Sequence, residues 1–143
     1  MVPVIIREAI DSDLLALTSL TAELGYPDSE EEIGRRFAII STQPDHKIFV
    51  AQEDDLIIGL VSVHSLDILF GASKIGRITA LVVNSKYRGK GIGKLLVDKA
   101  EEVAKSAGCD RLELTSNNRR IDAHRFYERM GFEGTSTRFV KAI

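Results

Sequence analysis

Apolar residues recur along this chain with two periods, one of two residues and one of three to four, and each switch marks an element. Val4-Ile5-Ile6-Arg7-Glu8-Ala9 predicts an opening strand. Leu14, Leu17, Leu20 and Leu24 then fall on one face of a helix, with Asp11 or Ser12 as its expected N-cap and Gly25 as its stop. Tyr26-Pro27-Asp28 reads as a turn. Ser29-Glu30-Glu31-Glu32 has the residues of a capping box, and Ile33, Phe37 and Ile40 give the second helix its buried face. Gly34 weakens that helix slightly, and Pro44-Asp45 ends the section. The alternation in Lys47-Ile48-Phe49-Val50-Ala51-Gln52 and again from Leu56 to His64, around the turn Glu53-Asp54-Asp55, predicts an antiparallel hairpin.

After a linker around Phe70-Gly71-Ala72-Ser73, residues 75–83 form a third expected strand that runs into a glycine-rich stretch. Ile92, Leu96, Ala100, Val103 and Ala107 stripe the next helix, opposite Lys94, Asp98, Glu101 and Lys105, with Gly108 closing it. Arg111-Leu112-Glu113-Leu114-Thr115 alternates as a strand. The strand-loop-helix-strand order over 75–115 calls for a parallel crossover. Beyond the polar loop 116–120, Ala123, Phe126, Tyr127 and Met130 line a short helix that Gly131 ends, and Thr137 to Ala142 reads as a last strand. The pattern is that of a layered α/β domain with a mixed sheet, and the hairpin argues against a purely doubly wound one. At 143 residues, 44% of them hydrophobic, the chain suits a single domain, residues 1–143.

Charge narrows the partners. A net charge of −2 with both signs interspersed argues against nucleic acid as the main partner. No apolar run approaches 18 residues and no signal peptide is evident, so the expectation is a cytoplasmic protein without a membrane partner. Cys109 is the only cysteine; it cannot form an internal disulfide and is expected to fill core space.

The chemistry concentrates in Arg88-Gly89-Lys90-Gly91-Ile92-Gly93-Lys94-Leu95-Leu96, between the third strand and its helix. Glycines there let backbone N–H groups approach an anion, and a helix N-terminus adds unpaired donors. A P-loop would need four residues between Gly89 and the Gly-Lys pair, and a Ser or Thr after it; this chain has three, then Leu95. A dinucleotide fingerprint would need glycine where Lys94 stands. The pattern Arg/Gln-x-x-Gly-x-Gly/Ala after a hydrophobic strand does fit Arg88 through Gly93.

That loop, together with Ala123-His124-Arg125-Phe126-Tyr127-Glu128-Arg129-Met130-Gly131-Phe132 downstream, resembles the two signatures of the GNAT family of N-acetyltransferases. The resemblance covers most of residues 77–132. It implies a mostly antiparallel mixed sheet with helices on both faces, in which two parallel central strands splay apart to admit acetyl-CoA. Carried onto this chain, the family's roles put the pantetheine arm against the backbone of Leu81, Val82 and Val83. The Leu81 N–H would polarise the thioester carbonyl. The pyrophosphate would lie on Arg88, Gly89, Lys90, Gly91, Ile92, Gly93 and Lys94, with Asn117 a further coenzyme A contact. Tyr127 would protonate the departing thiolate, a role suited to a phenol with an ordinary pKa of about 10.

Many family members carry a glutamate base at the start of the loop-feeding strand; here the position is Arg77, which cannot accept a proton. His64, Asp67, Glu113 and His124 remain as candidates. Ser116 to Tyr127, with the ending Arg138 to Ala142, is similar to the aminoalkylphosphonate N-acetyltransferases, whose two strand glutamates correspond to Arg77 and Ala80. No metal requirement is therefore carried over. Tyr26, His64, Arg77 and His124 are the expected acceptor-side residues. Arg77, Arg120 and Arg125 suit an anionic amine, whereas a polycationic aminoglycoside would want carboxylates such as Glu30, Glu31 and Glu32. Three functions stay open: acetyl transfer to a small-molecule amine, acetyl transfer to a protein lysine or N-terminus, and non-catalytic acyl-CoA binding. The protein would act as a monomer or a homodimer.

Overall fold

A computed structural model describes residues 2–71, 73–116 and 118–143. The two periods resolve into β1 (Val4–Glu8), α1 (Leu14–Leu24), α2 (Glu30–Ser41), β2 (His46–Glu53), β3 (Leu56–Asp67), β4 (Lys74–Val83), α3 (Ile92–Ser106), β5 (Arg111–Leu114) and α4 (Ile121–Arg129). The sheet runs β1-β2-β3-β4-β5 in sequence order. Its first three pairings are antiparallel, and β4–β5, joined through α3, is parallel. Among the described residues no helix is long and apolar enough to cross a membrane.

Strand alternation sorts the core onto two faces. Phe49, Ala51, Ile58, Val61, Val63 and Ile78 pack on Ile92, Leu96 and Ala100 of α3. Val50, Leu60 and Val82 pack on Leu17, Leu20 and Phe37 of α1 and α2. Leu96, Val50 and Val61 have no accessible surface, and each such side chain contributes about 1.5–3 kcal/mol over leaving it in water. Gly76 sets how near α3 lies to β4: a Cβ there would stand 2.7 Å from the Ala104 Cβ. The Ser29–Glu32 capping box forms in both directions, at 3.1 and 3.3 Å. Gly25, Gly108 and Gly131 all follow their helices at positive φ.

Two expectations fail. Neither Asp11 nor Ser12 caps α1; the chain enters through a 3-10 turn, Asp11–Asp13, whose flanking residue is Ile10. Asp13, only 4% exposed, accepts from the Ile10 N–H and from both terminal nitrogens of Arg7, each at 2.8 Å. That forked pair fixes the turn and holds the Asp13 carboxyl below the usual carboxylate range. The second failure is the last strand: residues 133–143 join no strand, and Phe139 and Val140 are 91% and 72% exposed. Alternation specifies an extended segment, but a ladder also needs an edge brought alongside it. After Phe132 packs against the core, residues 133–143 do not come alongside β5, an open edge of the described sheet.

The feature that matters most for function lies between β4 and β5. Their pairing runs from Ile75↔Arg111 to Ile78↔Leu114 and stops, while β4 continues to Val83 with β3 alone beside it. At the same point the β3–β4 register shifts: Ser62 faces Ala80 and Val63 faces Ile78, leaving Thr79 as the extra residue of a β-bulge.

Candidate active site

The glycine loop leaves β4 through a 3-10 turn, Ser85–Tyr87, which Asn84 caps by accepting from the Lys86 N–H at 2.9 Å. Gly89 and Gly91 follow with φ of 76° and 81°, and a Cβ at either would meet only open space. Gly91 is also the N-cap of α3, and no side chain caps that helix. First-turn N–H groups are thus left to a ligand, at the positive end of a 15-residue helix. The basic side chains are engaged locally: Arg88 Nε donates to the Val83 carbonyl at 3.3 Å, Lys94 pairs with Asp98 at 2.8 Å, and Lys90 lies over the Tyr87 ring. What the loop can offer an anion is chiefly backbone.

Gly93 has a different role from the other two glycines. A Cβ there would stand 3.2 Å from the Phe126 ring, so the bare helix surface seats α4 against the loop. This contact brings the two sequence signatures together. Tyr127, next on α4, packs edge-on to Phe126 and Phe132, with centroids at 5.4 and 5.9 Å. Burial pushes its phenol above the ordinary value, partly offset by the charge of Arg120. The proton on Tyr127 is therefore held throughout the neutral range.

Leu81 and Val83 are part-buried along the segment of β4 that β5 leaves uncovered. The Val82 side chain lies in the core at 5% exposure, so only its backbone can serve a ligand. Asn117 lies outside the described residues. Next to it in the chain, just beyond β5, Ser116 Oγ is buried without a hydrogen-bond partner, a polar group with bonding capacity to spare. An uncapped glycine loop, an uncovered strand edge and an orphaned hydroxyl together suit a long ligand with an anionic centre and amide groups.

The acceptor-side candidates separate. Tyr26 is 63% exposed in the α1–α2 turn. Asp67 ends β3, away from the splay. Arg77 is held by Glu113 at 3.0 Å, which commits two candidates to each other. His124 sits part-buried on α4. His64 lies on the sheet but stacks flat on His46, with centroids 4.7 Å apart. The half-buried free thiol of Cys109 lies beyond α3.

Pattern reading did not reach His46, Ser62 and Thr79. Ser62 is buried at 6% exposure; its Oγ lies 2.8 Å from His46 Nε2 and accepts from Thr79 Oγ1 at 2.8 Å. Burial, and to a lesser degree His64, lowers the pKa of His46. Beside this chain, α1, α2 and the sheet enclose a pocket of about 130 Å³, apolar through Leu17, Phe37, Ile48 and Leu60, with Ser62 and Arg36 in its wall. Arg36 is paired with Asp28 and Glu32.

Residues 13–132 match the model of the acetyltransferase (GNAT) family. The chain belongs to that family. GNAT acetyltransferases use acetyl-CoA as the acetyl donor. An aminoalkylphosphonate N-acetyltransferase of Salmonella typhimurium is 35% identical over 139 residues, covering 96% of this chain and 90% of that protein. A solved structure described as a transcriptional regulator from Bacillus halodurans superposes with a TM-score of 0.90 at 29% identity, over 99% of this chain and all of the other. The glucosamine-6-phosphate N-acetyltransferase of Arabidopsis thaliana superposes with a TM-score of 0.85 at 31% identity, over 98% of both chains.

Proposed function

We propose that this GNAT acetyltransferase transfers acetyl directly from acetyl-CoA to the primary amine of a small molecule carrying a phosphonate or phosphate. The observation that supports the reading is the Gly93–Phe126 contact, which joins the helix carrying Tyr127 to the start of α3 at the glycine loop. In this reading the loop amides of Arg88 through Lys94 hold the pyrophosphate, and the free edge of β4 at Leu81 and Val83 orients the pantetheine arm. The Leu81 N–H is the donor to the thioester oxygen. The half-buried, protonated phenol of Tyr127 supplies the proton that the leaving thiolate takes.

Acetyl-CoA supplies a thioester carbonyl open to attack by a free amine; the protein supplies position and protons. The apolar pocket below α1 and α2 suits a compact acceptor. Arg120, whose charge is felt at Tyr127, supports an anionic group on that acceptor, as do relatives named for aminoalkylphosphonate and glucosamine 6-phosphate.

Thiol release at saturating acetyl-CoA tests the reading across aminoalkylphosphonates, amino sugar phosphates, amino acids, aminoglycosides, polyamines and lysine peptides. Phosphonate- or phosphate-bearing amines are expected to give the highest kcat/KM. Preference for a polycation or a peptide would overturn it.

A further inference from the structure

An acceptor amine reaches a GNAT site as an ammonium ion, with about one molecule in a thousand free at pH 7 for an ordinary pKa near 10. A base is needed, and this chain has Arg77 and Ala80 at the two strand positions where the family resemblance led to an expectation of carboxylates. Of the four candidates, Glu113 is paired with Arg77 and Asp67 lies away from the splay.

The bulge supplies another route. Because the register shifts at Thr79, both Thr79 and Ala80 are brought to the α1/α2 face of the sheet. Thr79 is solvent-exposed and stands where β5 has just parted from β4. Its hydroxyl is bonded to buried Ser62, and Ser62 to His46. We propose that Thr79, Ser62 and His46 form the proton relay of this acetyltransferase, with His46 as the terminal base. The proposal rests on the acetyl-transfer reading above.

The relay works in one direction. Thr79 Oγ accepts a proton from the acceptor ammonium while passing its own to Ser62 Oγ, and Ser62 passes its own to His46 Nε2. The result is a neutral amine and an imidazolium. The amine nitrogen then bonds to the thioester carbon, the C–S bond breaks, and the sulfur takes the Tyr127 proton. The nitrogen's second proton restores Tyr127, and the imidazolium releases one proton to solvent, which matches the net yield of amide, thiol and one proton. The direction requires His46 to carry its neutral-state proton on Nδ1, so that Nε2 accepts.

The surroundings favour a neutral resting imidazole. His64 of β3 stacks on it, Ser41 is the polar side chain that α2 adds to the adjoining hollow, and Glu8 of β1 faces that hollow paired with Lys47 at 3.5 Å. The ring's lowered pKa leaves it a ready acceptor at pH 7 and below the ordinary histidine value.

Two measurements decide. Long-range nitrogen–proton NMR at pH 7 resolves the chain's three histidines; His46 is expected as the Nδ1–H tautomer, and an Nε2–H tautomer would overturn the relay without bearing on acetyl transfer. Kinetics with aminomethylphosphonate form the second. His46→Gln, Ser62→Ala and Thr79→Val are each expected to lower kcat/KM at pH 7 by about 10–100-fold. Thr79→Ser should recover most of the loss, and the acidic limb of the pH profile should move up toward the amine's own pKa. With trifluoroethylamine, largely unprotonated at neutral pH, the same variants should fall by less than about threefold because no base is needed. Equal losses for both amines, or an unchanged pH profile in His46→Gln, would refute the relay. A wild type that transfers acetyl to neither amine would remove the acetyl-transfer reading and the relay with it.

Discussion

Tyr127 shows how burial can suit a side chain to acid chemistry. A phenol is already protonated at neutral pH, and moving it among Phe126 and Phe132 disfavours phenolate further. A raised pKa makes it a weaker acid but keeps every molecule loaded, so in the proposed role its proton moves only as negative charge develops on sulfur in the breaking C–S bond. Tyr127→Phe keeps the ring packing and removes the O–H alone. It is expected to lower kcat about 10–100-fold while changing acetyl-CoA affinity less than about threefold. Stopped-assay kinetics with calorimetric titration would check both, and undiminished kcat would take Tyr127 out of the acid role. Because the pKa is raised, no loss of this proton should appear in the pH profile between neutrality and the ordinary phenol value.

At the scale of elements, the three loop glycines divide their work. Gly91, at φ of 81° with open space beyond its Cα, leaves room for the proposed ligand; Gly93, against the Phe126 ring, seats α4. Gly91→Ala would force a left-handed residue at a cost of about 1–2 kcal/mol and put a methyl at the anion seat. Coenzyme A affinity is expected to fall about tenfold, equal to about 1.4 kcal/mol. Gly93→Ala leaves the helical backbone unstrained but pushes Phe126 outward. It should leave that affinity within about threefold and lower turnover instead, since Tyr127 rides on the displaced helix. Titration and kinetics on the two variants separate these outcomes; an affinity loss confined to Gly93→Ala would reverse the assignment.

The same elements show what was legible in the chain. Arg88 to Gly93 and Ala123 to Phe132 declare themselves because residue type and spacing alone set their local geometry. Their meeting through Gly93 and Phe126 is a packing fact that neither stretch contains. The Thr79–Ser62–His46 chain was illegible for a sharper reason: which β3 residue meets Thr79, and that Ala80 shares its face, depend on how two strands register around a bulge. Asp13 was hidden similarly, since its partner Arg7 is reached only across the turn. Thr137 to Ala142 misled because extended propensity does not bring a segment alongside an edge.

For the whole molecule, the sheet is held together on one side of the splay and open on the other. The two core clusters fasten β1 to β4 between α3 and the α1–α2 pair, whereas β5 touches β4 over four residues and α4 is anchored through Phe126 and Phe132. A ligand spanning glycine loop, β4 edge and Ser116 would tie the less-fastened part to the better-fastened one. Binding to the folded state alone stabilises it by RT ln(1 + [L]/Kd), about 2.7 kcal/mol at one hundred times Kd. For a chain of this length that corresponds to a rise in Tm of roughly 5–10 °C. Scanning calorimetry with acetyl-CoA should show it, and coenzyme A should reproduce most of it. Pantetheine, which lacks the pyrophosphate, should give a much smaller rise at equal concentration, because the loop amides and the α3 N-terminus would remain unsatisfied. No shift with acetyl-CoA would sink the donor site as drawn, and an equal shift with pantetheine would move the binding energy off the glycine loop and onto the β4 edge.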